Sequence, residues 1–265
     1  MTLPRASVLA VRRDAGRERS AEAPAAVPGA LFQRVARAEL SVRENVELVG
    51  AGVVLIKVPG ASGSGFVISR EGHLVTNAHV IQGERNVSVT LFPARAEKRL
   101  VERVEILAVN PYWDLALLRL PEKELAGLEL APIPFGRFEE VRTGEPVFSI
   151  GNPLGLERTI SEGIVSTKNR ASNGMLYIQT TAPTNPGNSG GPLFNLKGEM
   201  IGVVSWHYAF NEGLNFAIPV STVEAFLENR EAFAFDKTNP NFGILYLAPP
   251  RKGAASRAAR FRQNH

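Results

Sequence analysis

The sequence predicts an all-β protein: two six-stranded antiparallel β-barrels in tandem, with short helices at the flanks. Three observations carry this. Short runs rich in Val, Ile, Leu, Phe and Thr recur from about residue 50 to residue 218. Gly, Pro and Asn punctuate nearly every gap between them. Helical periodicity shows only at the two ends of this region.

Taken in order, residues 1–30 are rich in Ala, Arg, Pro and Glu with no amphipathic period, which reads as a disordered basic segment. SVLAV is too short an apolar core for a secretory signal, which needs about 7–15 such residues. Within 31–49, Leu31, Val35, Ala38 and Val42 fall at helical spacing, so a short helix is expected to lead in. The first barrel, about 50–128, takes GVVLIKV, GFVISR, HLVTNAHV, NVSVTLF, KRLVERVEILAV and LALLRL; the second, about 132–218, takes PVFSIG, TISEGIVST, MLYIQT, MIGVVSW and LNFAIPV. Pro219 then opens a helix over about 220–233, with Val220, Val223, Phe226 and Leu227 on one face. Residues 31–235 form the folded domain in this reading. NFGILYLA in the basic tail 236–265 could add one strand.

Composition narrows the function classes. With no cysteine there is no disulfide, thiolate metal site or thiol nucleophile, and four histidines with no close pair give no metal-ligand spacing. Neither a metal nor another cofactor is expected. The longest apolar run, GVVLIKV, is far short of a membrane span. The net charge of +4 is uneven: residues 1–30 carry +2 and residues 236–265 carry +5, leaving −3 for the body. A nucleic-acid or membrane contact could therefore rest only on the tails, and with so little apolar area beside the charges none is expected.

Three segments carry chemistry together. TNAHV places His79 after a β run, NPYWDLALLRL places Asp114 before an apolar strand, and TNPGNSGGPLF surrounds Ser189 with Gly and Pro. A serine hydroxyl needs a base in reach and the base needs an orienting acid. In the two-barrel reading His79 and Asp114 come from barrel one and Ser189 from barrel two, so they would meet in the cleft between. The small residues fit a turn whose backbone is the reagent: the N–H groups of Gly187 and Ser189 can form an oxyanion hole, a loss of one such donor costing on the order of 100- to 1000-fold in rate. Taken singly, each motif has a bland reading: a tight turn, a capped strand end with a structural histidine, a strand with a charged start. Their joint order His, Asp, Ser favours a nucleophilic site.

SGSGFVISREGHLVTNAHV, NPYWDLALLRL, FSIGNPLGLERTISEGIVS, TNPGNSGGPLFNLKGEMIGVVS and GLNFAIPV together resemble the protease domain of the HtrA/Deg family of trypsin-like serine endopeptidases, over about 50–230. The resemblance implies a chymotrypsin/trypsin-like fold, with His79, Asp114 and Ser189 as triad, Gly187 and Ser189 as oxyanion hole, and GNPLG at 151–155 as a loop near the site. It implies polypeptide substrates, typically unfolded or damaged proteins. It also suggests a homotrimer built through residues before barrel one, with Phe32 and the 40–49 helix as candidates. The family's PDZ modules need roughly 80–100 residues each, so none is expected in the 30 that follow residue 235. The usual TDAAINPGNSGG reads TTAPTNPGNSGG here, with Pro183 where trypsin-type enzymes hold an acid. Pro183, Thr184, Val204, Ser205 and Trp206 are therefore expected to line a small apolar pocket preferring Val, Ile, Ala or Leu. Cytoplasmic location follows by default from the missing export signal, although the resemblance suggests an extracytoplasmic one. A peptide-binding or chaperone-like protein with an idle triad is the alternative function.

Overall fold

The computed structural model describes residues 31–152, 159–172, 174–185, 187–205 and 215–236. It is built mostly of strands, closed into two six-stranded antiparallel barrels. Barrel one contains β1 (Val53–Val58), β2 (Ala61–Val67), β3 (His73–Thr76), β4 (Val87–Leu91), β5 (Arg99–Asn110) and β6 (Leu115–Arg119), joined in the order β1-β2-β3-β6-β5-β4. Barrel two contains β7 (Pro146–Gly151), β8 (Thr159–Ser172), β9 (Met175–Thr180), β10 (Pro192–Asn195), β11 (Met200–Ser205) and β12 (Asn215–Pro219). Its order, β10-β11-β12-β9-β8-β7, is the same path read from the other end. Closure gives each of these strands a neighbour on both sides, which limits the edge open to a foreign strand.

Alternation explains the strands locally. In β4, Val87, Val89 and Leu91 are buried and Ser88 and Thr90 are half-exposed, the period of two expected of a barrel wall. Each barrel interior is aliphatic: Val54, Ile56, Leu74, Val89 and Leu118 fill the first, and Val147, Val165, Ile178 and Leu193 the second. Rings collect in the seam instead. Phe66 of barrel one and Phe148, Tyr177, Phe194 and Phe216 of barrel two join Phe135 and Phe226 in one cluster that runs between the barrels. Phe148 stacks on Phe194 at 4.9 Å between centroids. Such pairs add about 0.5–1.5 kcal/mol beyond the area they bury; this one braces neighbouring strands of barrel two, while Phe66 of barrel one meets Phe135 of the segment between the barrels at 6.5 Å.

The lead-in differs from the expected helix. α1 covers only Val42–Val49, while 31–40 form neither helix nor strand. Two interactions win over helical spacing. Ser41 and Glu44 form a capping box, the Glu44 N–H donating to Ser41 Oγ and the Ser41 N–H to Glu44 Oε2, which fixes the helix start at Val42. Upstream, backbone bonds from Phe135 N to Gln33 O (2.8 Å) and from Leu40 N to Leu196 O (2.8 Å) tie the chain to its neighbours in place of intrahelical bonds, and Phe32 stacks on Phe135. At the other end α2 (Val220–Glu228) buries Val220, Val223, Phe226 and Leu227 in the seam. It is followed by a 3-10 turn over Arg230–Phe233, so the predicted helix ends earlier than its pattern suggested. Residues 1–30 and 237–265 of the expected tails, including NFGILYLA, lie outside the described residues. No helix among the described residues is long and apolar enough to cross a membrane.

Candidate active site

β3 and β6 are neighbours, with Thr76 opposite Ala116, so the chain leaving β3 and the chain entering β6 lie at one rim of barrel one. His79 sits in a short 3-10 turn, Ala78–Val80, just past β3; Asp114 immediately precedes β6. The second turn is tightly made. Asn110 Oδ1 accepts from the Trp113 N–H (2.9 Å), and Asp114 takes the left-handed conformation at φ 56°, which Asp tolerates better than most side chains. The Asn77 amide donates to the Asp114 carbonyl at 2.9 Å and ties the two turns together.

The result is a clamped imidazole. Asp114 Oδ2 lies 2.8 Å and Oδ1 3.0 Å from His79 Nδ1, and Oδ1 also accepts the His79 backbone N–H at 3.0 Å. The carboxylate is buried, 7% exposed at the side chain against 25% for His79. A buried carboxylate must have its acceptors filled, and a third donor comes from barrel two: Ser205 Oγ, 3.0 Å from Oδ2. An ionised carboxylate can only accept, so the Nδ1 of His79 carries the proton. In the neutral ring Nε2 is then the basic nitrogen.

Barrel two supplies the turn between β9 and β10 that carries Ser189. Here the geometry is made by backbone and by missing side chains. Gly187 (φ 101°) and Gly190 (φ 84°) occupy the left-handed region. The Asn188 N–H donates to Asn185 O (3.0 Å), and Asn188 O accepts from the Gly191 N–H (2.9 Å). Because a trans peptide points its N–H and C=O to opposite sides, the second bond turns the Ser189 N–H away from Gly191. Gly190 N donates to Val204 O (2.9 Å), anchoring the turn to β11.

The turn is pressed onto barrel one beside His79. A Cβ on Gly190 would lie 3.0 Å from Asn77 N, and nearer still to Ser64 O and Thr76 Oγ1. A Cβ on Gly63 would lie 2.7 Å from Val80 and 3.1 Å from Ser189 O. Ser189 itself is buried, at 5% exposed.

Two pocket assignments need correction. Val204 packs with Ile201, Ile178 and Leu193 inside barrel two, and Ser205 turns its hydroxyl to Asp114 rather than to a pocket. The register of β10 against β11 skips from Leu193–Gly202 to Phe194–Met200. Beyond this bulge Val203 and Ser205 face the seam and Val204 the barrel interior. Pro183 is exposed, and Thr184 donates its N–H to Asn215 Oδ1 at 2.8 Å. Trp206, Pro186 and most of GNPLG lie outside the described residues. Asn77, Ser205 and Ser64 were not singled out for the roles their side chains take. For Ser64 the only written hint was a polar residue between two glycines in SGSG. Among the described residues no group of three or more His, Asp or Glu is placed to hold a metal ion.

Comparison with known proteins agrees with this architecture. Residues 63–203 match the family model of the trypsin-like peptidase domain. The chain is 38% identical over 175 residues to the putative serine protease HhoB of Synechocystis, covering 63% of this chain and 40% of that protein. It is 40% identical over 195 residues to the mitochondrial serine protease HTRA2 of Bos taurus, covering 71% and 39%. With a probable periplasmic serine endoprotease, DegP-like, of Pseudomonas fluorescens it shares 39% identity over 164 residues, 60% and 32% of the two chains. It therefore spans two fifths or less of the length of these relatives. The crystal structure of Deg5 superposes with a TM-score of 0.60 at 35% identity, covering 69% of this chain and 93% of that one. The chain belongs to the trypsin-like peptidase family, among serine proteases of the HtrA/Deg type.

Proposed function

We propose that this protein is a serine endopeptidase that cleaves polypeptides through an acyl-enzyme, with Ser189 as nucleophile, His79 as general base and acid, and Asp114 as the group that orients the imidazole. The observation that carries this is the His79–Asp114 clamp: a buried carboxylate, braced by Ser205, fixes the proton on Nδ1 and leaves Nε2 as the base. Ser189 Oγ attacks the scissile carbonyl as His79 takes its proton. The amides of Gly187 and Ser189 receive the negative charge that develops on the carbonyl oxygen. Collapse expels the amine, which takes the proton from His79, and water then repeats the sequence to release the acid. No cofactor enters this scheme. By kinship the substrates are unfolded or damaged proteins.

A fluorophosphonate probe tests it, because it reacts only with an activated serine. The wild-type chain should be labelled and Ser189→Ala should not. Absence of labelling in the wild type, with peptides still bound in the cleft, would replace the enzyme by the peptide-binding alternative.

A further inference from the structure

We infer that Ser64, on β2 of barrel one, is a positioning residue for the Ser189 turn; the inference rests on the function just proposed. Ser64 is completely buried and makes four hydrogen bonds at once. Its N–H donates to Ser189 O at 2.8 Å, and its hydroxyl donates to Gly187 O at 2.7 Å. The same hydroxyl accepts the Asn152 N–H at 2.8 Å, and the Ser64 carbonyl accepts from Thr76 Oγ1 at 2.7 Å. The directions are forced, since a carbonyl can only accept and an N–H can only donate.

The two carbonyls that Ser64 holds belong to the two residues whose amides would face the oxyanion. Tethering each carbonyl restricts rotation about the Cα that also carries the N–H. Ser64 thus sets the aim of those donors from the opposite barrel, and through Asn152 it couples them to the chain leaving β7. Asn152 is itself bound to barrel one, its Nδ2 donating to Val54 O at 3.1 Å. Serine suits the position because it is the smallest residue whose side chain both donates and accepts. Space is tight: a Cβ on Gly191 would come within 3.2 Å of Ser64 Cβ. An alanine would leave the Gly187 carbonyl and the Asn152 N–H without their buried partner.

The test compares wild type, Ser64→Ala and Ser64→Cys by hydrolysis of dye-labelled casein and by amide hydrogen exchange of the peptide covering 185–193. For Ser64→Ala the expected result is a fall in kcat of about 10- to 100-fold with KM changed by less than about 3-fold, as misaim of donors made for the transition state requires. Exchange in 185–193 should quicken by more than exchange in the barrel strands, which reports any general loss of stability from the two unpartnered groups. Ser64→Cys, which keeps a weak donor and acceptor, should fall between, and it provides the reading if the alanine variant does not fold. Unchanged exchange in the folded variants overturns the inference, whatever happens to the rate. Should wild type show no turnover that Ser189→Ala abolishes, the hydrolytic reading fails, and quickened exchange would still uphold the tether.

Discussion

Barrel one and barrel two contribute to the site in different currencies of structure. Barrel one offers side chains fixed by side chains: the His79 ring by the Asp114 carboxylate, that carboxylate by Ser205 across the seam, and the Asp114 backbone carbonyl by the Asn77 amide. Barrel two offers backbone held by backbone, in a turn where Gly187, Gly190 and Gly191 make room for the chain itself. The contrast teaches that the two halves should fail for different reasons. The first is sensitive to chemistry at constant volume, the second to volume at constant chemistry.

The largest effect should come from the first half. Asp114→Asn keeps size and shape but replaces an acceptor-only group by an amide that can donate, so His79 Nδ1 is no longer obliged to carry the proton. Steady-state hydrolysis should show kcat falling about 10,000-fold with the melting temperature changed little, the usual cost of losing the orienting acid. A fall of less than about 10-fold would mean that the imidazole is oriented by something else.

Gly190→Ala tests the second half and should rank next. The added methyl meets barrel-one backbone at Ser64 and Asn77, and φ 84° is strained for any residue with a Cβ. The turn must retreat from barrel one, and a displacement of about 1 Å at reacting groups costs about 100-fold in rate. Fluorophosphonate labelling should slow by that order while circular dichroism keeps the barrel signature. Labelling at the wild-type rate would show that the close packing of the turn on barrel one is not what aligns it.

How much of this the sequence showed follows the same division. The barrels were legible because strand alternation and turn residues are local signals, and β10 alone escaped, being a four-residue run hidden behind the glycine turn. His79, Asp114 and Ser189 are legible as candidates because each stands in a motif with a chemical reason. The faces of β11 are not, since a bulge beside Gly202 reverses which residues look inward, and nothing in MIGVVS announces it. Ser64 was hidden for another reason: its importance lies in partners more than 80 positions away. The stretch before α1 does not follow its helical spacing because that spacing is a weak preference that tertiary bonds to Phe135 and Leu196 override.

The smallest effect concerns stability, and it separates the two histidines that stand at opposite ends of β3. His79 follows the strand at the site; His73 opens it, with Nδ1 2.8 Å from Ser69 Oγ. His73 is half-buried, lies across from Arg119 and feels Arg230, with only Glu71 opposing them. Burial first, and then the Arg119 charge, hold its pKa below the ordinary imidazole value of 6.5. The sign follows directly. Between its lowered folded value and 6.5 the unfolded chain binds the proton more readily, so stability is whole above pH 6.5 and declines as pH falls below it. His73→Gln keeps a hydrogen-bonding side chain but cannot take the proton. Thermal melts of both proteins from pH 8 to pH 5 should run parallel above about 6.5 and converge or cross below it, as the wild type alone loses stability to this group. Parallel curves throughout would show that the imidazole at this end of β3 is protonated equally well in the folded and unfolded chain, and that the arginines beside it are too well solvated to matter.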